Sequence, residues 1–167
     1  MSSSPPSLLP PEYIAMIDRG PSTIVSSRDA AGHPSITRAL GCSIAPDGSS
    51  ISVHVARRQS RQLLQDIAAT GWVAVGFSEW FTNVTVQVKS HHARTRNADA
   101  SDAPLLERYL ASMEQVAQQL GYAPGMAGIL LSHRPDDVVV VSFEPELAFE
   151  QTPGPKAGTE LLPGGSA

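Results

Sequence analysis

At 167 residues, 41% hydrophobic and 17% charged, the chain reads as one soluble domain with a sizeable core. Its net charge of −4 argues against a general nucleic-acid binder, which needs a basic surface to displace counterions. A single cysteine, Cys42, excludes an internal disulfide framework and a multi-cysteine metal site, and reads as a small buried hydrophobe on a strand. No apolar run approaches the ~20 residues that span a membrane. The start, MSSSPPSLLPP, lacks the basic and long apolar regions of a secretion signal, so the cytoplasm is the expected location.

In chain order, residues 1–11 are Ser/Pro-rich and read as a disordered arm, and residues 12–151 read as the folded domain. Tyr13, Ile14 and Ile17 fall at helical spacing over 12–19, with Gly20-Pro21 as a stop. A strand follows over 22–28, then turn chemistry at Asp29–Pro34, then one longer strand over 35–45. Gly41 inside that strand suggests a bulge or close approach by another backbone or a ligand. Pro46-Asp47-Gly48 turns the chain into a third strand over 50–56, making an antiparallel meander. Leu63, Leu64, Ile67 and Ala68 form the stripe of a helix that ends near Gly71. Strands are expected at 72–77 and, as one long alternating run, at 83–94.

The clearest helix spans 101–121, with Ser101 as a possible cap and an apolar stripe from Leu105 to Leu120 suited to core or dimer packing. A buried strand at 138–143 and a short one at 148–151 follow, and the Pro/Gly-rich tail 152–167 is expected to lack regular structure. Six or seven strands joined by short turns must protect their edges, and closure is the usual answer. The expected class is α+β, mainly β, with an antiparallel Greek-key-like barrel and flanking helices.

The most informative stretch is 52–76, where a β-branched strand runs into a basic turn and then a helix. Arg57-Arg58-Gln59-Ser60-Arg61-Gln62 gathers three guanidiniums, a hydroxyl and two amides where a strand becomes a helix. Helix-start N–H groups favour an anion, and guanidinium forks add charge-assisted bonds to phosphate. The same residues would also suit a merely solvated basic helix start. His33, His54 and His133 read as structural or solvated. His91 and His92, as adjacent strand residues, are expected on opposite sides and so cannot form a same-face metal pair.

Several local matches, in this order, resemble the FMN-binding split-barrel proteins of the pyridoxamine 5′-phosphate oxidase-like group. PSTIVSSRDAAGHP at 21–34 is similar to the family's first hairpin, and Ser60-Arg61-Gln62 to its Ser-Arg-Lys turn, with Gln62 in place of lysine. Residues 64–75 resemble the following helix and strand, with Thr70-Gly71 where Asn-Pro is usual. Thr85-Val86-Gln87-Val88-Lys89-Ser90 is similar to the strand Gln-Val-Arg-Val-x-Gly, with Ser90 replacing glycine. The resemblance covers residues 12–158 and implies an antiparallel Greek-key split β-barrel that binds FMN as a homodimer and acts on a small-molecule substrate.

Carried over by position, the resemblance places Arg38 against the flavin or its phosphate, with Leu40 and Gly41 letting the ring approach the backbone. Ala56 and Arg57 would flank the phosphate, and Ser60, Arg61 and Gln62 would bind it. Gln87, or Thr85 with the register slipped by two, would offer a polar group from the neighbouring strand, and Trp80 would either stack on a ring edge or pack as a loop aromatic. The true oxidase's Trp…Arg-Leu-x-Pro tail is missing, so pyridoxamine phosphate oxidation is not expected. Relatives using the deazaflavin F420, and haem-binding relatives with His91 or His92 as iron ligand, remain alternatives, as does a non-catalytic binding module.

Overall fold

The computed structural model describes residues 7–163. They form two antiparallel sheets and four α-helices, an α+β architecture that is mainly β. The first sheet has six strands in the order β10-β9-β6-β5-β1-β2: β1 Ser22–Arg28, β2 Pro34–Arg38, β5 Val73–Ser78, β6 Thr85–Ser90, β9 Leu147–Glu150 and β10 Glu160–Leu161. The second has four in the order β3-β4-β8-β7: β3 Gly41–Ile44, β4 Ile51–Ala56, β7 Arg94–Asn97 and β8 Val138–Phe143. Among the described residues neither sheet closes on itself, so the barrel expected from sequence stands as two sheets.

The expected long strands at 35–45 and 83–94 are each two strands lying in different sheets. At the first corner Ala39 N–H still donates to Thr23 O of the first sheet at 3.0 Å. The next residue, Leu40, donates to His54 O of the second sheet at 2.7 Å. Ala39, Leu40, Gly41 and Cys42 are all buried, because a chain changing sheets is covered on both sides and loses strand alternation. At the second corner Ala93 N–H donates to Gly71 O at 2.9 Å. The stretch from 22 to 56, expected as three strands of one meander, is therefore four strands in two hairpins split between the sheets.

The core lies between the sheets. Val25, Val75, Phe77, Val86 and Val88 face inward from the first sheet, and Ile51, Val53, Val55, Val139 and Val141 from the second. Each such side chain contributes about 2 kcal/mol of hydrophobic stabilisation. Helix α1 (Pro11–Asp18) adds Tyr13, Met16 and Ile17, and Leu9 before it is 2% exposed, so residues 7–10 join the fold rather than trail as an arm. Residues 1–6 and 164–167, the outer parts of the expected arm and tail, lie outside the described residues. Inside the tail, the short strand β10 pairs with β9 through Glu160 and Leu161, contrary to the expected irregular structure.

Helix α2 (Arg61–Thr70) ends at Gly71, whose φ of +72° is left-handed. Helix α3 (Ala103–Gln119) is preceded by a 3₁₀ turn capped by Asp99 rather than Ser101, with Asp99 and Asp102 exchanging a capping box. Of its apolar stripe only Tyr109 and Met113 are buried. Helix α4 (Met126–Leu130) was not foreseen; the Glu114 carboxylate accepts from Gly125 N–H at 2.6 Å and Ala127 N–H at 3.2 Å to start it.

Two glycines rank differently in their tolerance of a side chain. A Cβ at Gly71 would sit 2.4 Å from His91 O, a backbone atom, at a positive φ. A Cβ at Gly41 would meet Leu105 Cδ2 at 2.8 Å, the end of a flexible side chain. Gly71→Ala should cost about 2 kcal/mol or more in urea unfolding and Gly41→Ala about 1 kcal/mol; equal costs would contradict this ranking.

Candidate phosphate-binding cleft

Ala56, the last residue of β4, pairs with Val138, and Arg57 N–H donates to Asp137 O at 2.7 Å, so the basic turn leaves the sheet in a fixed direction. Ser60 N–H donates to Arg57 O at 3.2 Å and Leu64 N–H to Ser60 O at 2.9 Å, which closes the turn and opens α2. Between α2 and the edge strand β7 this leaves an open cleft of about 560 Å³, lined by Arg57, Arg61, Gln65, Thr95, Arg96 and Asn97 among others.

The arginines of the turn and of the cleft differ in how their charge is met. Arg96 binds Asp102 two-pronged at 2.7 and 2.8 Å, and Arg58 lies 3.8 Å from Asp137. Arg57 meets only the neutral amide oxygen of Asn97, and Arg61 has no ion pair among the described residues. Two guanidiniums without a carboxylate, beside the first turn of a ten-residue helix, make this a fit for a phosphate group.

Not every residue of the turn faces the cleft. Ser60 is 2% exposed, and its hydroxyl donates to Thr37 Oγ1 on β2 at 3.2 Å instead of capping α2 or lining the cleft. Gln62 donates to Asp66 Oδ1 at 2.8 Å, and Ser35 donates to the other Asp66 oxygen at 2.6 Å. Ala56 is buried under the turn. Leu40 and Gly41 are buried too, and Leu105, Leu106 and Tyr109 of α3 cover Gly41, so the close approach read from the sequence is made by a helix.

Arg38 donates to Ser22 Oγ at 3.4 Å. It alternates with Ser35 and Thr37, the β2 residues that meet α2. Gln87 lies in the same register row as Arg38, across Ile24 and Gly76, and Thr85 shares its face two residues earlier. These three therefore lie on the outer face of the first sheet, opposite α2. Trp80 is half-buried and packs against the core, with an indole N–H that has no partner among the described residues.

What holds β7 in place went unread in the sequence. His54, 1% exposed, bonds Asp102 Oδ1 through Nε2 at 2.9 Å, and the same carboxylate takes Arg96 and the Asp99 N–H. The Arg96 bonds, with those from His54 and Asp99, hold the Asp102 carboxyl far below the usual range. The one available signal was His54 between the valines of β4. His91 and His92 do not diverge as expected: β6 ends at Ser90, and both rings reach Glu146, at 2.6 and 3.5 Å. Cys42 is buried as expected, and burial pushes its thiol up to about 11. Among the described residues no group of three or more metal-binding side chains occurs, and no helix is long and apolar enough to cross a membrane.

No protein-family model and no curated protein matches the chain. Solved structures do. An F420 reductase is similar over 84% of this chain and 98% of its own, with 16% identity and a TM-score of 0.55. HupZ of Group A Streptococcus covers 90% of this chain and 100% of its own, with 14% identity and a TM-score of 0.54. A candidate pyridoxamine 5′-phosphate oxidase of Lactobacillus delbrueckii covers 84% of this chain and 93% of its own, with 14% identity and a TM-score of 0.52. The chain has the fold of the pyridoxamine 5′-phosphate oxidase-like group. At this identity the similarity establishes the fold and leaves the chemistry to the site.

Asp102→Asn should lower stability by about 3 kcal/mol in chemical denaturation, because it removes the charge partner of half-exposed Arg96 and weakens the acceptor that meets buried His54. A carboxyl depressed in the folded state stabilises above its unfolded pKa of about 4 and loses that contribution as pH falls. The wild type should therefore lose stability below about pH 4, and the variant should lose less. Superimposable pH profiles would show that Asp102 does not carry this effect.

Proposed function

We propose that the protein is an FMN-dependent oxidoreductase of the pyridoxamine 5′-phosphate oxidase-like split-barrel group, its two sheets being the halves of that barrel. The observation that carries this reading is the pair of uncompensated guanidiniums, Arg57 and Arg61, on a cleft of about 560 Å³ at the start of α2. They would hold the phosphate of FMN, and the α2 N-terminus would add backbone donors. Bound flavin supplies hydride or electron transfer to or from a small molecule, while the protein orients it and excludes water. Gln62, tied to Asp66, brings no charge to the cleft, so the phosphate charge would fall to Arg57 and Arg61 alone.

The reading includes a homodimer. Arg38, Thr85 and Gln87 stand across the sheet from α2, so they can meet a cofactor held by Arg57 and Arg61 only when a second copy presents them. Exposed apolar side chains at α3 and α4, including Leu120, Ile129 and Leu130, also favour cover by a second copy.

The visible spectrum of the purified protein, repeated after adding FMN and removing the excess, tests the cofactor. A retained flavin band is expected, and Arg61→Ala should weaken FMN binding about tenfold with the fold unchanged. An unchanged titration would remove Arg61 from the site. A Soret band would overturn the flavin reading in favour of haem at His91 or His92, and retention of F420 alone would keep the cleft but replace the cofactor. Light scattering at micromolar concentration should give twice the chain mass; a monomer would count against a shared site.

A further inference from the structure

A second cleft, of about 500 Å³, opens at the β1–β2 hairpin end of the first sheet, away from Arg57 and Arg61, on the same outer face as Arg38 and Gln87 but one row beyond the residues that the proposed dimer presents to a second copy. Its floor follows one register row, in which Ser26, Ala74, Lys89 and Leu147 stand side by side on β1, β5, β6 and β9. The two small residues in that row keep the floor low. Trp72 lines the cleft, with the Arg28 guanidinium 3.3 Å from its ring centroid. The His91 imidazole meets Trp72 edge-on, centroids 4.9 Å apart.

Charge here is unbalanced. Among the described residues neither Arg28 nor Lys89 has a carboxylate partner; each lies against an aromatic ring, Trp72 and Phe149 respectively. Two carboxylates stand at this end of the sheet: Glu146 is bound by His91 and His92, and Asp29 by His33 and the N–H groups of its own turn. Stacking fixes the plane of the Arg28 guanidinium and leaves its edge N–H groups free for a two-pronged bond. The volume falls within the range of small-molecule sites, about 300–1,000 Å³, where apolar walls surround a few placed polar groups.

We propose that this cleft binds a planar aromatic carboxylate, its ring over the Ser26–Ala74 floor and its carboxylate on Arg28. A bare inorganic anion would leave the apolar floor and walls unused. A neutral aromatic would leave the guanidinium edge unpaired. Lys89 adds a second positive charge at the far side of the floor.

Calorimetric titration of the full chain with 2-naphthoate, beside its neutral counterpart 2-naphthamide, tests the site. One 2-naphthoate per chain should bind, at least tenfold more tightly than the amide. Arg28→Gln should weaken it about tenfold, while Arg61→Ala should leave it unchanged. Arg28 is exposed at the end of β1, and circular dichroism will verify that the variant folds. A second variant, Lys89→Gln, should weaken binding by a smaller factor. Equal affinity for the amide, indifference to Arg28→Gln, loss of binding with Arg61→Ala, or no saturable binding would each overturn the proposal. Conversion of a dimer to a monomer by Arg28→Gln would overturn it too, by assigning this face to a second copy. Since Arg61 and Arg28 are probed separately, failure here and failure of the flavin reading are distinguishable.

Discussion

One buried carboxylate ties together parts of the chain that are far apart in sequence. Asp102 takes a bond from His54 on the central strand β4, a two-pronged bond from Arg96 on the edge strand β7, and the Asp99 N–H that begins the approach to α3. A charge in so little water is tolerated only when its lone pairs are met, and here four donors meet them. The strand so fixed is one wall of the cleft facing α2. Without it, β7 would be a four-residue exposed edge strand held through one neighbour.

The change of sheet at Ala39–Leu40 sets what can meet what. It sends Arg38 to the outer face of the first sheet while β3 goes on under α3, and it leaves Thr37 and Ser35 beneath α2. Polar side chains of the basic turn are thereby divided. Ser60 and Gln62 bond inward to build the turn, while Arg57 and Arg61 remain outward with charge unmet. A hydroxyl and an amide can be satisfied inside a fold by single bonds, whereas an unpaired guanidinium is kept at the surface by its desolvation cost. The division of labour follows from that difference.

Much of the fold was legible locally. The strands at 22–28 and 138–143 match their expected bounds, and Gly71 ends α2 as read, because β-branched runs and a left-handed glycine act over a few residues. The two corners were not legible as such. A chain crossing between sheets keeps its extended backbone, so 35–45 and 83–94 read as single strands. The only local trace was imperfect alternation at Ala39–Cys42 and the loss of strand register after Ser90. Helix α4 begins on a carboxylate eleven residues upstream of Gly125, and β10 exists only because β9 offers it an edge. Neither cause is visible within a window of neighbouring residues.

By itself the sequence determined the type of most elements, though not α4, β10 or the two corners, together with the mainly antiparallel class and the place of Arg57 and Arg61 at a strand-to-helix turn, since each depends on side-chain pattern and turn chemistry over short distances. Only the tertiary structure decided which residues share a site. It set Arg96 and Asn97 opposite Arg61, put Arg38 and Gln87 across the sheet from it, and filled the space above Gly41 with α3. The reason is geometric: a two-residue period fixes the face of a side chain, but the strand that faces it is chosen by pairing between segments tens of residues apart.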